Sequence, residues 1–432
     1  MKFTSISVLL IILLLFSGIY ADDPRVRVEQ QWAVGMVARM ASIPFATNEE
    51  KTVSTLVPLI FYEGERWYMR GFEGGYRFYS TGDWDFSAMG RMRFFDIPQQ
   101  YQNLVQGDNV DWGFQAKYQP FAMTFLDIEG LSDYKGNISS NVRAGLDIYT
   151  GGFNIKPFAE AKIKGRKFNS YYFGLDSVNI NGGIDLSIGF IVDYHLLSNF
   201  YLYGAGKLTL LDRQVRNSSL VSADMHGQVF FGFGLSNDRS KPRKEKLRSK
   251  AYLRLAQGFA TPSDLSNIIK FNATRDTANN KMTSLFYGHP LTDELFGLPL
   301  DIYITPGLVW HWKSDVQPHS QELVIAIKLY YTIKWPIRWK FGFAEGLSWA
   351  NEIPFVEASE MERKGYRPSN LLNYLNFTLD FSLGDIFGGQ LLDELWLGYG
   401  IHHRSAIFEK AQQFGRIRGG SNFQTFYLQY HF

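Results

Sequence analysis

Apolar and polar residues alternate over long segments of this chain. Between Trp84 and Phe94 the even-numbered residues are apolar, and most odd-numbered ones are charged or hydroxylated. The segments 184–194 and 323–333 repeat this alternation. A period of two residues predicts β-strands with one apolar and one polar face. Soluble strands usually contain about five or six residues, so these strands are unusually long.

Strands of this length favour a membrane-spanning β-barrel over a soluble β-sandwich. Such a barrel presents its apolar face to lipid and its polar face to its interior, and each strand needs about ten residues to cross. The 36 Phe, 24 Tyr and 10 Trp suit the aromatic girdles of such barrels. After the N-terminal segment there is no run of about twenty apolar residues, so helical spans are not expected. The predicted fold class is all-β, with an aromatic-rich soluble sandwich as the alternative.

The two ends of the chain indicate export to an outer membrane. Lys2 precedes an apolar stretch at 8–16, and residues 1–21 are therefore predicted to be a secretory signal peptide. The closing segment 422–432, NFQTFYLQYHF, alternates and ends on Phe432, which resembles the terminal aromatic signal for barrel insertion. The chain has no cysteine, so neither a lipid-modified cysteine nor a thiolate metal site is expected. The expected location is the outer membrane of a Gram-negative-type envelope.

A charged segment divides the mature chain into two parts. Residues 237–250, NDRSKPRKEKLRSK, have no apolar periodicity and predict a polar linker. About twelve candidate strands precede it within 22–236, and about eight follow it within 251–432. We therefore predict two tandem antiparallel transmembrane barrels. Even strand numbers place both ends of each barrel on the periplasmic side. A single barrel of about twenty strands is the alternative.

The first part, 22–236, resembles the MipA/OmpV family of outer-membrane proteins. The resemblance rests on WAVGMVARMA from Trp32, on LVPLIFYEGERWYMRGFEGGYRFY from Leu56 and on VFFGFGLS from Val229. It implies a barrel with periplasmic peptidoglycan-remodelling partners, and it implies no catalytic site.

The segment LLDELWLGYGIHHRS, 391–405, carries the candidate chemistry of the second part. Alternation places His403 and Ser405 on one strand face, and a base beside a hydroxyl is the minimum geometry for an activated nucleophile. His402 points to the opposite face, so it cannot share a metal ion with His403. We expect no metal site and no cofactor.

The second part, 251–432, resembles the PagL-like lipid A 3-O-deacylases, which are eight-stranded barrels. The match rests on the His-x-Ser element ending at Ser405 and on the GGSN segment 419–422. The resemblance implies hydrolysis of an ester-linked acyl chain of lipopolysaccharide, with Ser405 as nucleophile, His403 as general base and a glutamate that orients the histidine.

The orienting acid departs from the family pattern. No carboxylate occurs at the family spacing, within 413–418. Glu409 is the nearest candidate, and Glu345 is another if the barrel wall brings it close. A catalytic dyad, a displaced acid and an inactive enzyme are all open at this point.

Strand direction places the candidate pair near the outer leaflet. The last strand should run to the periplasm, so Ser405 should lie at the extracellular end of the preceding strand. Lys410, Arg416 and Arg418 are candidate contacts for the phosphates of outer-leaflet lipopolysaccharide, as is Arg404 if its strand end twists outward. Ordinary surface charge is the alternative. Backbone amides around 419–422 are candidates for an oxyanion hole.

These observations predict an outer-membrane serine esterase that deacylates lipid A, joined to a scaffold barrel. The alternative is a noncatalytic pore, or a scaffold for envelope enzymes that act on peptidoglycan. The net charge of +2 gives no indication of a nucleic-acid partner.

Overall fold

The computed structural model describes residues 32–47, 51–98, 101, 104–105, 109–121, 123–237, 247–270, 272–364, 369–405 and 420–432. These residues form two closed antiparallel β-barrels, the first of twelve strands and the second of eight. The predicted fold class is thereby confirmed. The predicted signal peptide 1–21, most of the predicted linker, and Glu409, Lys410, Arg416 and Arg418 lie outside the described residues.

The first barrel is closed by pairing between its first and last strands. Its strands are β1 (Trp32–Ser42), β2 (Thr52–Glu63), β3 (Trp67–Gly71), β4 (Glu73–Thr81), β5 (Trp84–Arg93), β6 (Asn109–Tyr118), β7 (Thr124–Ser132), β8 (Ile138–Leu146), β9 (Ile148–Thr150), β10 (Phe153–Lys164), β11 (Gly183–Leu197), β12 (Phe200–Leu210) and β13 (Met225–Ser236). β8 and β9 are separated only by Asp147 and both pair with β10, so they occupy one position in the wall. The connections contain helices α1 (Arg166–Tyr172) and α2 (Arg213–Arg216).

The second barrel is closed by pairing between β14 and β21. Its strands are β14 (Tyr252–Thr261), β15 (Lys281–Thr292), β16 (Leu300–His311), β17 (Ser320–Ile333), β18 (Trp339–Ala350), β19 (Leu371–Ser382), β20 (Leu395–Ser405) and β21 (Gly420–His431). Three short helices lie in its connections, α3 (Leu265–Ile269), α4 (Phe355–Lys364) and α5 (Leu383–Phe387), together with a 3₁₀ turn at Gln390–Leu392. The longer connections lie at the end away from the chain terminus, as expected for extracellular loops.

The outer walls of both barrels are apolar. Ile188, Phe231, Leu285 and Phe426 are each about half exposed or more, and each alternates with residues that point into a barrel. The alternation places the apolar side chains where lipid surrounds the wall. Among the described residues, no helix is both long and apolar enough to span a membrane.

The interior of the second barrel is filled by hydrogen-bonded polar side chains and by a buried apolar cluster that includes Met282, Phe286 and Phe423. Lys328 donates to Asn376 and Thr378, both at 2.8 Å. Tyr427 donates to Asp380 at 2.6 Å. An eight-stranded barrel is just wide enough for side chains to fill, so this interior is a packed core of polar and apolar side chains and not a channel.

The interior of the first barrel combines ion pairs with an aromatic cluster. Arg39 donates two hydrogen bonds to Asp96, at 2.8 and 2.7 Å. Near them the rings of Phe72, Phe94 and Phe230 lie in mutual contact, with centroids 5.1 to 5.9 Å apart. The buried pair and the rings occupy the lumen, so they narrow any path through this barrel.

The outer mouth of the first barrel is covered by its own connecting segments. Residues from four connections form one apolar cluster, which we name the loop core: Phe45, Ile97, Val105, Phe168, Tyr171, Tyr172, Phe173, Leu175, Ile180, Leu211, Val215 and Val221. Helix α1 is held there by Tyr172, which accepts from Arg93 and donates to Asp133. The loop core therefore closes the mouth of the barrel opposite to its chain ends.

The two barrels pack against each other through apolar outer walls. Trp32 and Ile60 of the first barrel form one buried cluster with Ile302, Ile304 and Ile327 of the second. The second barrel therefore contributes β16 and β17 to this cluster, and β15 and β18 on either side of them also contact β2. In a ring of eight strands, β20 and β21 lie opposite β16 and β17, on the side that faces away from the first barrel.

Candidate active site

Strand β20 divides its last residues between lipid and barrel interior. His402 and Arg404 are fully buried inside the barrel, whereas His403 and Ser405 point outward and are partly buried. Ser405 is the last residue of β20, at the end where the long connections lie. The two candidate catalytic side chains therefore share the outer face of the wall, as the alternation predicts.

His403 is hydrogen-bonded to an asparagine on the neighbouring strand. His403 and Asn422 lie directly opposite each other in the β20–β21 pairing. The Nδ1 atom of His403 lies 2.6 Å from Oδ1 of Asn422. The amide Nδ2 of Asn422 donates to the backbone carbonyl of Ser263 at 2.8 Å. The imidazole is therefore connected through Asn422 to the loop that follows β14.

Ser405 and His403 are neighbours on the wall without a hydrogen bond between them. Residues two apart on a strand have Cα atoms about 6.7 Å apart. The described partners of the His403 ring are the side chain of Asn422 and the backbone of Ser421, both on β21. Catalytic hydrogen bonds are often long without substrate and tighten when the substrate binds.

Glu345, the second candidate for the orienting acid, is separated from His403 by one strand. It lies on the outer face of β18, opposite Leu375 of β19, and Leu375 lies opposite His403. The Cα atoms of Glu345 and His403 are thus two strand spacings apart, about 10 Å. Leu375 stands between the two side chains.

The prediction that Arg404 contacts substrate phosphate is wrong for this strand geometry. Its guanidinium lies inside the barrel, where it donates to Ser348 at 2.9 Å and to Glu357 at 3.1 Å. It also donates to two backbone carbonyls, those of Ser369 and Asn370. Position 404 follows the inward alternation of the strand up to its end, so the side chain does not reach the lipid side.

A buried carboxylate organises the interior directly behind His403. Glu322 accepts from Ser348 at 2.7 Å and contacts His402 at 3.0 Å and His311 at 2.9 Å. All four side chains are buried. This buried cluster links β16, β17, β18 and β20 across the interior of the barrel.

Helix α4 enters the same network through Glu357. Burial raises the pKa of the Glu357 carboxyl to about 6, and this effect exceeds the opposing attraction of Arg404. The carboxylate of Glu357 accepts from Arg404 and, at 3.5 Å, from Ser421. The contact ties the extracellular helix to the ends of β20 and β21.

Glycine is required where β21 begins beside the candidate nucleophile. Gly420 lies opposite Ser405, and a Cβ atom there would overlap the carbonyl oxygen of Arg404. Only glycine permits this close backbone approach.

The sequence did not reveal the side-chain roles of Asn422, Glu322 and Glu357. The sequence suggests only a backbone role for Asn422, because it does not give the pairing register of β20 with β21. Glu322 occupies a polar position of an alternating strand, and this is the signal that assigns it to the interior. Which side chains it meets there depends on barrel closure.

Comparison with known proteins supports the first barrel's resemblance. The family model described as MltA-interacting protein MipA matches residues 34–236. The match ends at the last residue of β13, before the second barrel. No curated protein matches the chain.

Solved structures of outer-membrane proteins match this chain over most of its length, but with low sequence identity and low TM-scores. A bacterial polysaccharide outer membrane secretin matches 93% of this chain and 99% of its own, at 8% identity and a TM-score of 0.22. CdiB from Acinetobacter baumannii matches 93% of this chain and 60% of its own, at 10% identity and 0.27. OprB from Pseudomonas putida matches 94% of both chains, at 6% identity and 0.26. TM-scores this low carry no functional conclusion.

The closed barrels with apolar walls, together with the family match, identify an outer-membrane β-barrel protein. The expected location is confirmed.

Proposed function

We propose that the second barrel is a serine esterase that hydrolyses an ester-linked acyl chain of lipid A. The observation that carries the proposal is the placement of His403 and Ser405 on the lipid side of the wall, at its extracellular end. The resemblance of 251–432 to the PagL-like deacylases supplies the reaction and the substrate class. The outer leaflet supplies the substrate directly in front of this wall.

The proposed reaction has two halves. Oγ of Ser405 attacks the acyl carbonyl carbon while its proton passes to His403, and a tetrahedral oxyanion forms. The carbon–oxygen bond to the sugar then breaks, and His403 returns the proton to the departing sugar hydroxyl. Water attacks the resulting acyl-serine, with His403 again accepting and returning a proton. The products are a free fatty acid, the deacylated lipid and the original serine.

The apolar wall below the pair suits an acyl substrate. Leu397 and Tyr399 precede His403 on the same outward face, and Phe426 lies beside them on β21. An acyl chain lying along these residues would bring its ester to the level of Ser405, at the boundary between acyl chains and headgroups. In this proposal Lys410, Arg416 and Arg418 contact the lipid A phosphates.

Mass spectrometry of lipid A tests the proposal. Cells expressing the unaltered chain should lose one hydroxyacyl group from lipid A, and Ser405→Ala and His403→Gln should reduce this loss by a factor on the order of 10³ or more. Ser266→Ala is the matched control, because Ser266 is exposed on the loop helix α3 and should leave the reaction unchanged. Lipid A that keeps all its acyl groups in cells containing the folded chain would contradict the proposal.

A scaffold role for the first barrel is the second candidate. It is favoured by the match of 34–236 to a family described as MltA-interacting. In this role the barrel would bind MltA or a similar periplasmic partner, and the second barrel would have no reaction to perform. The lipid A measurement separates the two candidates, since a pure scaffold predicts no change of acylation in any variant.

A further inference from the structure

We infer that Asn422 takes the place of the absent glutamate and orients His403 for proton transfer. The inference rests on the proposed function, because it assigns a positioning residue to the proposed base. Asn422 is 8% exposed and lies opposite His403 on the adjacent strand. Its position in the wall is set by backbone pairing on both sides, with His403 of β20 and with Thr261 of β14.

The hydrogen bonds of Asn422 determine which way its amide points. A backbone carbonyl can only accept, so the atom 2.8 Å from the Ser263 carbonyl must be the amide nitrogen of Asn422. The amide oxygen therefore faces His403, at 2.6 Å from Nδ1. Ser263 is itself held by Thr274, whose backbone NH donates to the Ser263 hydroxyl at 2.8 Å.

This amide orientation selects one tautomer of the imidazole. An amide oxygen only accepts, so Nδ1 of His403 must carry the proton. The lone pair then resides on Nε2, and this is the atom that can take the proton of Ser405. A carboxylate would select the same tautomer, which is the usual function of the third member of such a triad.

A neutral amide orients the ring without adding charge. It keeps the tautomer but stabilises the positive imidazolium less than a carboxylate would. We therefore expect a slower enzyme than one with an intact acid, and we expect loss of Asn422 to reduce kcat/KM by about 10- to 100-fold, because Asn422 only positions a base whose whole contribution is typically about 10²- to 10⁴-fold.

Two measurements on the full chain test the inference. The first is deacylation of purified lipid A in mixed micelles by Asn422→Ala and by the isosteric Asn422→Leu. The second is the ¹⁵N chemical shift of the His403 ring nitrogens, assigned by comparison with His403→Gln, which reports the tautomer whether or not the chain is active. Heat-modifiable mobility on gels verifies that each variant barrel is folded.

Two control variants make the result specific. Asn370→Ala removes another asparagine at the extracellular rim, one that donates to the carbonyl of Ala350 and does not contact His403. Glu345→Gln tests the competing carboxylate on the outer wall. Both should retain the activity and the tautomer of the unaltered chain.

The inference is supported if the folded Asn422 variants, and only these, lose activity and show a shift of the His403 proton from Nδ1 toward Nε2. Unchanged tautomer and rate in those variants would overturn it, as would a rate loss confined to Glu345→Gln. If the unaltered chain does not deacylate lipid A, the proposed function fails, and the tautomer comparison alone then decides the role of Asn422.

Discussion

Glu357 shows how a single buried group couples the extracellular side of the second barrel to pH. It is 1% exposed and is paired with Arg404, but a second carboxylate, Glu322, lies in the same network. The free-energy cost of removing a carboxylate from water exceeds the gain from one ion pair when a second negative charge is near. The pKa of Glu357 is accordingly raised, to about 6 from an ordinary 4.5.

This raised pKa gives the barrel a pH-dependent stability. A carboxyl whose pKa is higher in the folded chain than in the unfolded chain makes its full contribution to the free energy of unfolding at low pH. This contribution is lost as the pH rises through the folded pKa of about 6. The loss should amount to about 2 kcal/mol between pH 4 and pH 7. Urea unfolding in detergent micelles should show the unaltered chain losing this amount relative to Glu357→Gln. A difference between the two chains that stays constant with pH would contradict the argument.

Strand alternation explains why the Arg404 side chain points into the barrel whereas the His403 side chain points outward. Adjacent residues on a strand point to opposite faces, so one of them lies among polar groups and the other meets lipid. His403 follows this rule at the lipid side, and Arg404 follows it inside. The structure shows that no local twist at the end of β20 reverses the faces.

At the level of the strand, apolar outward residues form a lipid-facing band only if they are continuous with those of the neighbouring strands. Leu285, in the middle of β15, lies between Leu255 and Leu308 on the neighbouring strands, and all three point outward. The row of leucines forms part of the band that faces acyl chains. A charge in this row would have no water and no protein partner.

A charge in the leucine row should therefore destabilise the second barrel. Leu285→Arg is expected to lower the free energy of unfolding in lipid vesicles by about 2–4 kcal/mol, the cost of arginine at the bilayer midplane of a barrel wall. Ile269→Arg is the control, because Ile269 is equally apolar and exposed but lies on the loop helix α3. An equal effect of the two substitutions would show that the outward face of β15 does not meet lipid.

At the level of the whole molecule, two barrels are joined and neither is an open tube. The second is filled by packed polar and apolar side chains, and the first is narrowed by Phe72, Phe94 and Phe230 and covered by the loop core. The contact between the barrels involves β15 to β18, so β20 and β21, which carry His403, Ser405 and Asn422, are not part of it. This arrangement suits a lipid-directed site better than a pore.

Planar bilayer recordings test the closed state of both barrels. The full chain, inserted and folded, should give no stable conductance steps at moderate voltage, because ions would have to displace buried side chains in either barrel. Regular steps in proportion to the inserted protein would favour the pore that the sequence left as an alternative. Protein-free bilayers are the control.

The strands and their faces could be predicted from the sequence because they depend on local chemistry. The alternation from Ile184 to Phe190 and the closing run to Phe432 each specify which residues meet lipid. The alternation from Trp84 predicts the same for Phe94, but Phe94 follows the last residue of β5 and lies in the lumen. The break in periodicity after residue 236 likewise separates twelve strands from eight. The side-by-side placement of His403 and Ser405 follows from the same period of two.

The partners across the barrel were decided only by the tertiary structure. His403 meets Asn422 because the register of β20 with β21 places them opposite, and that register depends on the connection between the strands and on closure of the whole ring. Glu322 meets His402, 80 residues away, for the same reason. Local sequence determines which face a side chain occupies, whereas shear and closure of the sheet determine its neighbours.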